Sequence, residues 1–209
     1  AKLSVADQPG YLTFVANGEP TLDINLGRSI EKLKLFNIPV AVITNASLLI
    51  DPQVRADLLP ADWVSVKIDA GNEDVWKKLN RPADKIDFEM YVKGLITFSN
   101  VYKGKLVSET MLVKGLNDTP EELNQVVTVL KSVQPSIAYI SVPTRPPAVK
   151  SVLPPDEEDI NLAYQLFSEN QLKTELILGF EGTDTGFTGN AIDDILNICS
   201  VHPIRQDTM

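Results

Sequence analysis

Short apolar runs alternate with single amphipathic segments along most of this chain, and that alternation strongly limits its possible folds. Runs rich in β-branched and aromatic residues predict strands at residues 11–15, 40–44, 63–68, 106–113, 137–142 and 173–178. Helices are predicted between and after them, at residues 24–36, 51–59, 73–79, 87–101, 119–133 and 156–169. Nearly continuous apolar strands separated by helices are typical of a parallel sheet that helices cover. The predicted class is therefore α/β.

The alternation by itself fits both a curved parallel barrel and an open doubly wound sheet. In either fold the carboxyl ends of the strands share one edge, and we expect that edge to be the active-site face. The polar residues predicted there are Asn17 to Glu19, Thr44, Asn45, Lys67, Asp69, Lys114, Thr144 and Arg145. We assign residues 1–178 to one domain and residues 179–209 to a linker and the start of a small helical domain.

Composition and charge argue against several functional classes. A net charge of -9 and a pI of about 4.6 disfavour binding to a nucleic-acid backbone, which requires clustered Lys and Arg. Cys199 is the only cysteine, so the chain contains no disulfide and no cysteine cluster for zinc or iron–sulfur, and we predict no metal ligands in it. The apolar runs are too short to span a bilayer and the start does not resemble a signal peptide, so we expect a cytoplasmic protein without membrane contact.

The loop after the first strand, Asn17-Gly-Glu-Pro20, is the first candidate site. Glycine allows a backbone to approach a ligand closely, and proline stiffens the loop. Glu19 would place a carboxylate at the carboxyl end of a strand, where it can bind an ammonium group. An ordinary strand-to-helix turn with a solvated glutamate fits these four residues equally well.

Three motifs in this order resemble the radical S-adenosylmethionine (radical SAM) superfamily. They are Asn-Gly-Glu-Pro-Thr-Leu at residues 17–22, Ile-Thr-Asn-Ala-Ser-Leu-Leu at 43–49 and Val-Ser-Val-Lys-Ile-Asp-Ala at 64–70. The likeness covers about residues 10 to 170, and the Gly-Glu-Pro loop is its most specific part. It implies an α/β fold of the partial TIM-type (β/α)6 barrel class, and an enzyme that cleaves S-adenosylmethionine (SAM) reductively to a 5′-deoxyadenosyl radical.

The resemblance also implies which strand-end residues bind the cofactor. Residues of the Gly-Glu-Pro loop would meet the amino group of SAM, and those of the next two motifs its ribose or carboxylate. The full predicted set is Asn17, Gly18, Glu19, Pro20, Thr44, Asn45, Ser65, Lys67, Asp69 and Glu109. Glu109 belongs to it only if its strand directs the side chain to the same face. Thr144 and Arg145 are candidates for substrate contact, Arg145 either by holding a carboxylate or phosphate or by bracing its loop. No catalytic residue is assigned.

The chain departs from the family pattern in one large respect. Family members carry a Cys-x-x-x-Cys-x-x-Cys loop, after the first barrel strand, that holds a [4Fe–4S] cluster. Neither that loop nor that strand is found here, and a cluster needs several thiolates. We therefore interpret the chain as barrel strands two to six, an internal piece of a longer protein that is inactive alone. The longer protein would carry the cluster, take electrons from a donor, and act on a small-molecule, peptide or RNA substrate.

Two alternative functions fit the same residues. Lys67 at a strand end is also the kind of residue with which barrel aldolases or isomerases form Schiff bases. Asp69 lies on the same face and would keep that amine protonated, which opposes such a role. A barrel piece without its first strand could also be a non-catalytic scaffold, because an open sheet edge exposes unpaired backbone groups.

Overall fold

The computed structural model of the protein describes residues 9–15, 18–144, 149 and 151–178. The described strands are β1 (Leu12–Phe14), β2 (Val40–Thr44), β3 (Trp63–Lys67), β4 (Lys105–Met111), β5 (Ile137–Ser141) and β6 (Thr174–Ile177). The described α-helices are α1 (Leu26–Lys34), α2 (Pro52–Leu58), α3 (Glu73–Asn80), α4 (Phe88–Val101), α5 (Pro120–Val133) and α6 (Glu157–Glu169). A short 3-10 turn, Pro20–Leu22, follows the first loop.

The strands form one parallel sheet in the order β1-β2-β3-β4-β5-β6. Each strand pairs with the strand before it in the chain, so the order contains no reversal of the kind that defines a doubly wound sheet. This order confirms the predicted α/β class and selects the barrel type over the open sheet. The described part of the sheet has six strands, and not the five that an interpretation as barrel strands two to six implies.

All the described α-helices contribute to one apolar core on a single face of the sheet. Alternate strand residues, such as Val42 on β2 and Val66 on β3, are fully buried there against helical side chains that include Trp76 and Phe98. Because successive strand side chains point to opposite faces, the residues between them lie on the face turned away from the helices. We call this second face the inner face. It carries the polar side chains of the candidate site.

Several helices begin at the polar caps that the sequence predicts. The side chain of Asp87 accepts a hydrogen bond from Met90 N at 2.7 Å, and Thr119 accepts one from Glu122 N at 3.4 Å. Such caps satisfy backbone N–H groups that have no partner within the helix. These caps therefore fix the residues at which the preceding loops end and the helices α4 and α5 begin.

Helix α1 is shorter than the prediction of residues 24–36. Ile24, Leu35 and Phe36 lie outside it and are 89%, 81% and 68% exposed. Asn37 takes a left-handed backbone conformation, with φ of 55°, which ends the helical region. Apolar spacing alone therefore extends the predicted helix over residues that are exposed. Leu59, the last residue of the predicted helix 51–59, likewise lies beyond α2 and is 45% exposed.

The predicted linker and helical segment at residues 179–209 lie outside the described residues, and their assignment remains a prediction. In the part of the chain that the structure describes, none of the helices combines the length and the apolar character required to cross a bilayer.

Gly94 offers a test of the packing between α4 and the loop before α2. A Cβ at Gly94 would lie 2.6 Å from Ile50 N and 2.7 Å from Leu49 C, both backbone atoms that cannot turn away. We expect Gly94→Ala to lower the free energy of unfolding by about 1–3 kcal/mol, because this overlap outweighs the better helix propensity of alanine. Urea denaturation measures the change. Gly10→Ala is the control and should leave stability nearly unchanged, because its Cβ meets no atom within 4 Å in the part of the chain that the structure describes.

Candidate functional site

The first polar cluster at the carboxyl edge of the sheet surrounds the carboxylate of Glu19. This side chain is only 9% exposed and caps the 3-10 turn. Its Oε1 accepts hydrogen bonds from Thr21 N at 3.0 Å, Thr21 Oγ1 at 2.7 Å and Thr44 Oγ1 at 2.5 Å. Its Oε2 accepts one from Asn45 N at 2.7 Å. The loop is thereby fastened to the end of β2, and the alternative of a solvated glutamate is excluded.

These four contacts define the role of Glu19 within the chain. Each carboxylate oxygen offers about two lone-pair positions, and among the described residues Oε1 accepts from three donors whereas Oε2 accepts from one. Within that part of the chain, Oε2 therefore keeps a position from which it could accept a hydrogen bond from a ligand ammonium. The four contacts also hold Gly18 and Pro20 in place at the sheet edge.

The second polar cluster, the Lys67 cluster, lies on the inner face and comprises Lys67, Asp69, Glu109 and Ser141. The amine of Lys67 is 3.2 Å from Glu109 Oε1 and 3.6 Å from Asp69 Oδ1. Ser141 Oγ donates to Glu109 Oε1 at 2.8 Å. Lys67 and Glu109 are register partners on β3 and β4, so the condition attached to Glu109 in the sequence, a shared face, is met.

Asp69 is the most deeply buried member of the Lys67 cluster, with 3% of the residue exposed. Its Oδ1 accepts a hydrogen bond from Met111 N at 2.8 Å, and its Oδ2 accepts one from Asn80 Nδ2 at 2.8 Å. Its backbone carbonyl accepts another from Asn117 Nδ2 at 2.8 Å. Asp69 therefore joins the end of β3 to β4, to α3 and to the loop that precedes α5.

The surroundings of Lys67 keep its amine charged. Burial alone would lower the pKa of this amine, but the charges of Asp69 and Glu109, with their hydrogen bonds, outweigh burial and raise the pKa above its usual value. A protonated amine is a poor nucleophile, whereas a Schiff-base lysine needs a lowered pKa. The charged amine thus suits ion pairing at Lys67 rather than covalent chemistry.

Some residues that shape the site carry no clear signal in the sequence. The hydroxyl of Tyr91 donates a hydrogen bond to the carbonyl of Lys67, while its ring stacks on Trp76 at a centroid distance of 5.1 Å. Sequence spacing identifies Tyr91 only as part of the apolar face of α4. Asn80 ends a short helix and gives no sign of its contact with Asp69. Asn117, just before the capped start of α5, signals a turn but not the cross-link it makes.

The other predicted residues do not all lie on the inner face. Ser65 is 4% exposed and lies on the inner face two residues before Lys67. Lys114 instead forms an exposed ion pair with Asp156 at 2.7 Å, at the start of α6. Thr144 follows β5 and is half-buried. Asn17 and Arg145 lie outside the described residues.

The two clusters lie on different sides of the sheet edge. Thr44, which contacts Glu19, ends a strand whose alternate residues Val40 and Val42 face the helices. Lys67 has the opposite parity on its strand and lies on the inner face, with Ser65. A ligand on the inner face would therefore meet the Lys67 cluster directly and the Glu19 loop from its edge.

The donor groups of the chain fit part of a SAM site but not an iron–sulfur site. A protonated lysine can pair with the carboxylate of an amino acid, although Lys67 already has two carboxylate partners in Asp69 and Glu109. A [4Fe–4S] cluster is held by thiolates, and the sequence contains one cysteine, so this chain does not supply the ligands of a cluster.

Comparison with known sequences identifies relatives over nearly the whole chain. The profile of the Radical SAM superfamily matches residues 2–127. A UPF0026 protein of Methanocaldococcus jannaschii is 41% identical over 201 residues, which cover 95% of this chain and 63% of that protein. A UPF0026 protein of Helicobacter pylori is 31% identical over 198 residues, 94% of this chain and 63% of that protein. The chain thus spans somewhat less than two thirds of the length of these relatives.

Solved structures share the fold at low sequence identity. A domain of pyruvate-formate lyase-activating enzyme from Bacteroides vulgatus superposes with a TM-score of 0.66 at 17% identity, covering 80% of this chain and 99% of that one. A radical SAM methyltransferase from Sphaerobacter thermophilus gives 0.64 at 16% identity, covering 84% and 52%. At such identities the likeness concerns the fold alone.

The buried, hydrogen-bonded carboxylate of Glu19 leads to a stability prediction. In Glu19→Gln, one oxygen becomes an NH2 group that faces chain donors and cannot accept from them. We expect the free energy of unfolding to fall by about 1–3 kcal/mol, the usual cost of leaving buried donors unpaired. Urea denaturation measures it, with Glu31→Gln on the exposed side of α1 as the matched control. Equal stability of the two variants would contradict the buried network.

Proposed function

The chain belongs to the radical SAM superfamily, and from this premise we propose that it forms the cofactor-binding part of an enzyme that cleaves SAM reductively. The observation that carries the proposal is the charged amine of Lys67, held on the inner face between Asp69 and Glu109 at the carboxyl edge of β3. In enzymes of this superfamily, SAM supplies a 5′-deoxyadenosyl radical when its cleavage is driven by a [4Fe–4S] cluster.

We assign different residues of the inner face to different parts of the cofactor. We assign the carboxylate of the methionyl end to Lys67, whose ammonium offers a charge-assisted hydrogen bond. Ser65, on the same face, would meet the ribose. Both oxygens of Asp69 already accept hydrogen bonds, from Met111 N and Asn80 Nδ2, so we assign Asp69 to the support of Lys67.

The Gly-Glu-Pro loop would border the amino group of SAM. Gly18 is exposed, and none of the described residues lies within 4 Å of the position its Cβ would take, so a ligand can approach the backbone there. Glu19 supports this contact indirectly, since its bonds to Thr44 and Asn45 hold the loop against β2. The cluster itself must be held by residues outside this chain, and we derive no step through it.

We place the substrate beyond Lys67, on the inner face of β4 to β6. Glu109, Tyr139 and Glu175 are successive register partners there. Burial, with the charge and hydrogen bond of Glu175, raises the pKa of the Tyr139 hydroxyl, so it remains a proton donor at neutral pH. Thr144 follows β5 at the same edge. A small molecule, a peptide or an RNA with hydrogen-bonding groups fits this assignment.

Lys67→Met tests the proposed function in the full-length protein reconstituted with iron and sulfide. Loss of a charge-assisted hydrogen bond of about 1.5–3 kcal/mol should weaken SAM binding by about 10- to 100-fold. Isothermal titration calorimetry with SAM gives the dissociation constant. The control is Lys77→Met, which removes an exposed lysine on α3 and should not change affinity. A thermal unfolding scan checks that both variants are folded.

Unchanged affinity in the folded Lys67→Met variant would contradict the assignment. Borohydride trapping addresses the Schiff-base alternative, because only an imine at Lys67 is reduced to a stable adduct with a carbonyl compound. We expect no adduct on Lys67 with pyruvate or dihydroxyacetone phosphate as the probe.

A further inference from the structure

The amine of Lys67 lies between two carboxylates whose surroundings differ. The side chain of Asp69 is 3% exposed and that of Glu109 is 27% exposed. Lys67 is closer to Glu109, at 3.2 Å, than to Asp69, at 3.6 Å. The nearer partner is thus the one that solvent and ligands can reach.

Asp69 is hydrogen-bonded to groups whose positions are set by β4 and α3. Met111 N belongs to the backbone of β4, and Asn80 approaches from the end of α3, and each donates to a different oxygen of Asp69. Displacing this carboxylate would leave a backbone N–H and a side-chain amide without partners in the interior. Asp69 therefore stays in place whatever binds at Lys67.

Glu109 is held much more loosely. Among the described residues, two side chains donate hydrogen bonds to Glu109, Lys67 and the hydroxyl of Ser141 at 2.8 Å, and both donate to Oε1. A serine hydroxyl rotates freely to other acceptors, and a glutamate with a partly exposed carboxylate has other rotamers available. The contact between Glu109 and Lys67 can therefore open without unpairing a backbone group.

A ligand carboxylate that arrives at Lys67 would be the third anion around one ammonium. Like charges at such short range repel, and the repulsion is stronger where the site is partly buried. One of the two resident carboxylates must then withdraw. Exposure and bonding single out Glu109.

We propose that Glu109 occupies the position of the SAM carboxylate in the free protein and is displaced by it, while Asp69, held by Asn80, keeps the Lys67 ammonium in place. The inference rests on the proposed function, since it presupposes SAM on the inner face. It makes Glu109 an exchangeable partner of Lys67, and Asp69 and Asn80 positioning residues.

Glu109→Gln tests the exchange in the full-length protein reconstituted with iron and sulfide. Dissociation constants are measured by equilibrium dialysis for SAM and for decarboxylated SAM, which lacks only the carboxylate. We expect Glu109→Gln to bind SAM at least threefold more tightly than the wild type, because no anion has to leave. Decarboxylated SAM should bind to Glu109→Gln no more tightly than it binds to the wild type. The control is Glu73→Gln, which removes an exposed carboxylate of α3 and should change neither constant.

Asn80→Ala tests the positioning role of the buried pair. We expect SAM to bind at least fivefold more weakly, while the dissociation constant for decarboxylated SAM stays within twofold of the wild type. Asn80→Gln, which keeps the amide donor, should restore part of the loss. Equal weakening for both ligands would mean that Asn80 only supports the fold, and it would overturn the positioning role.

The outcomes separate the inference from its premise. A wild-type protein that binds SAM, with Glu109→Gln binding equally or less tightly, overturns the exchange and leaves the proposed function standing. A gain of equal size for both ligands also overturns it, since the effect would then not concern the carboxylate. A reconstituted wild type that binds no SAM overturns the proposed function, and the inference falls with it.

Discussion

The buried carboxylate of Asp69 is the interaction on which the carboxyl edge of the sheet depends. A charge in the interior is tolerated only when donors surround it, and Asp69 obtains them from β4, from α3 and from Lys67. Those donors come from segments that are far apart in the chain. Meeting the needs of one carboxylate therefore fixes where β3 ends, how α3 approaches, and where the amine of Lys67 lies.

Glu19 is likewise a buried carboxylate surrounded by donors, on the other side of the sheet edge. Where strands give way to loops, backbone N–H groups lose the partners that the sheet provides, and a carboxylate can accept several of them at once. Glu19 does so for Thr21 and Asn45. Acidic residues that a sequence offers as ligands can thus also be needed by the chain itself, as Glu19 is for its loop and Asp69 for the end of β3.

The alternation of strands and helices, several helix caps and the shared face of Lys67 and Asp69 follow from local sequence, because each depends on residues only a few positions apart. The ends of α1 do not, since apolar spacing does not say where the surface begins. The hydrogen bonds that join Glu19 to Thr44, and Asp69 to Asn80 and Met111, link residues 11 to 42 positions apart in the chain. They are set by strand register and by the approach of helices, which no short motif encodes.

If the cofactor binds at Lys67 as proposed, the sheet register also explains how one fold can keep its cofactor and change its substrate. Glu109, Tyr139 and Glu175 follow one another across β4, β5 and β6, so the inner face runs without a break from Lys67 to the last described strand. Substitutions on β5 and β6 change the shape and charge of that surface, yet leave Asp69 and its donors untouched. Because fold and cofactor site are stabilised separately from this surface, membership of the superfamily constrains the first step of the chemistry and not the molecule on which it acts.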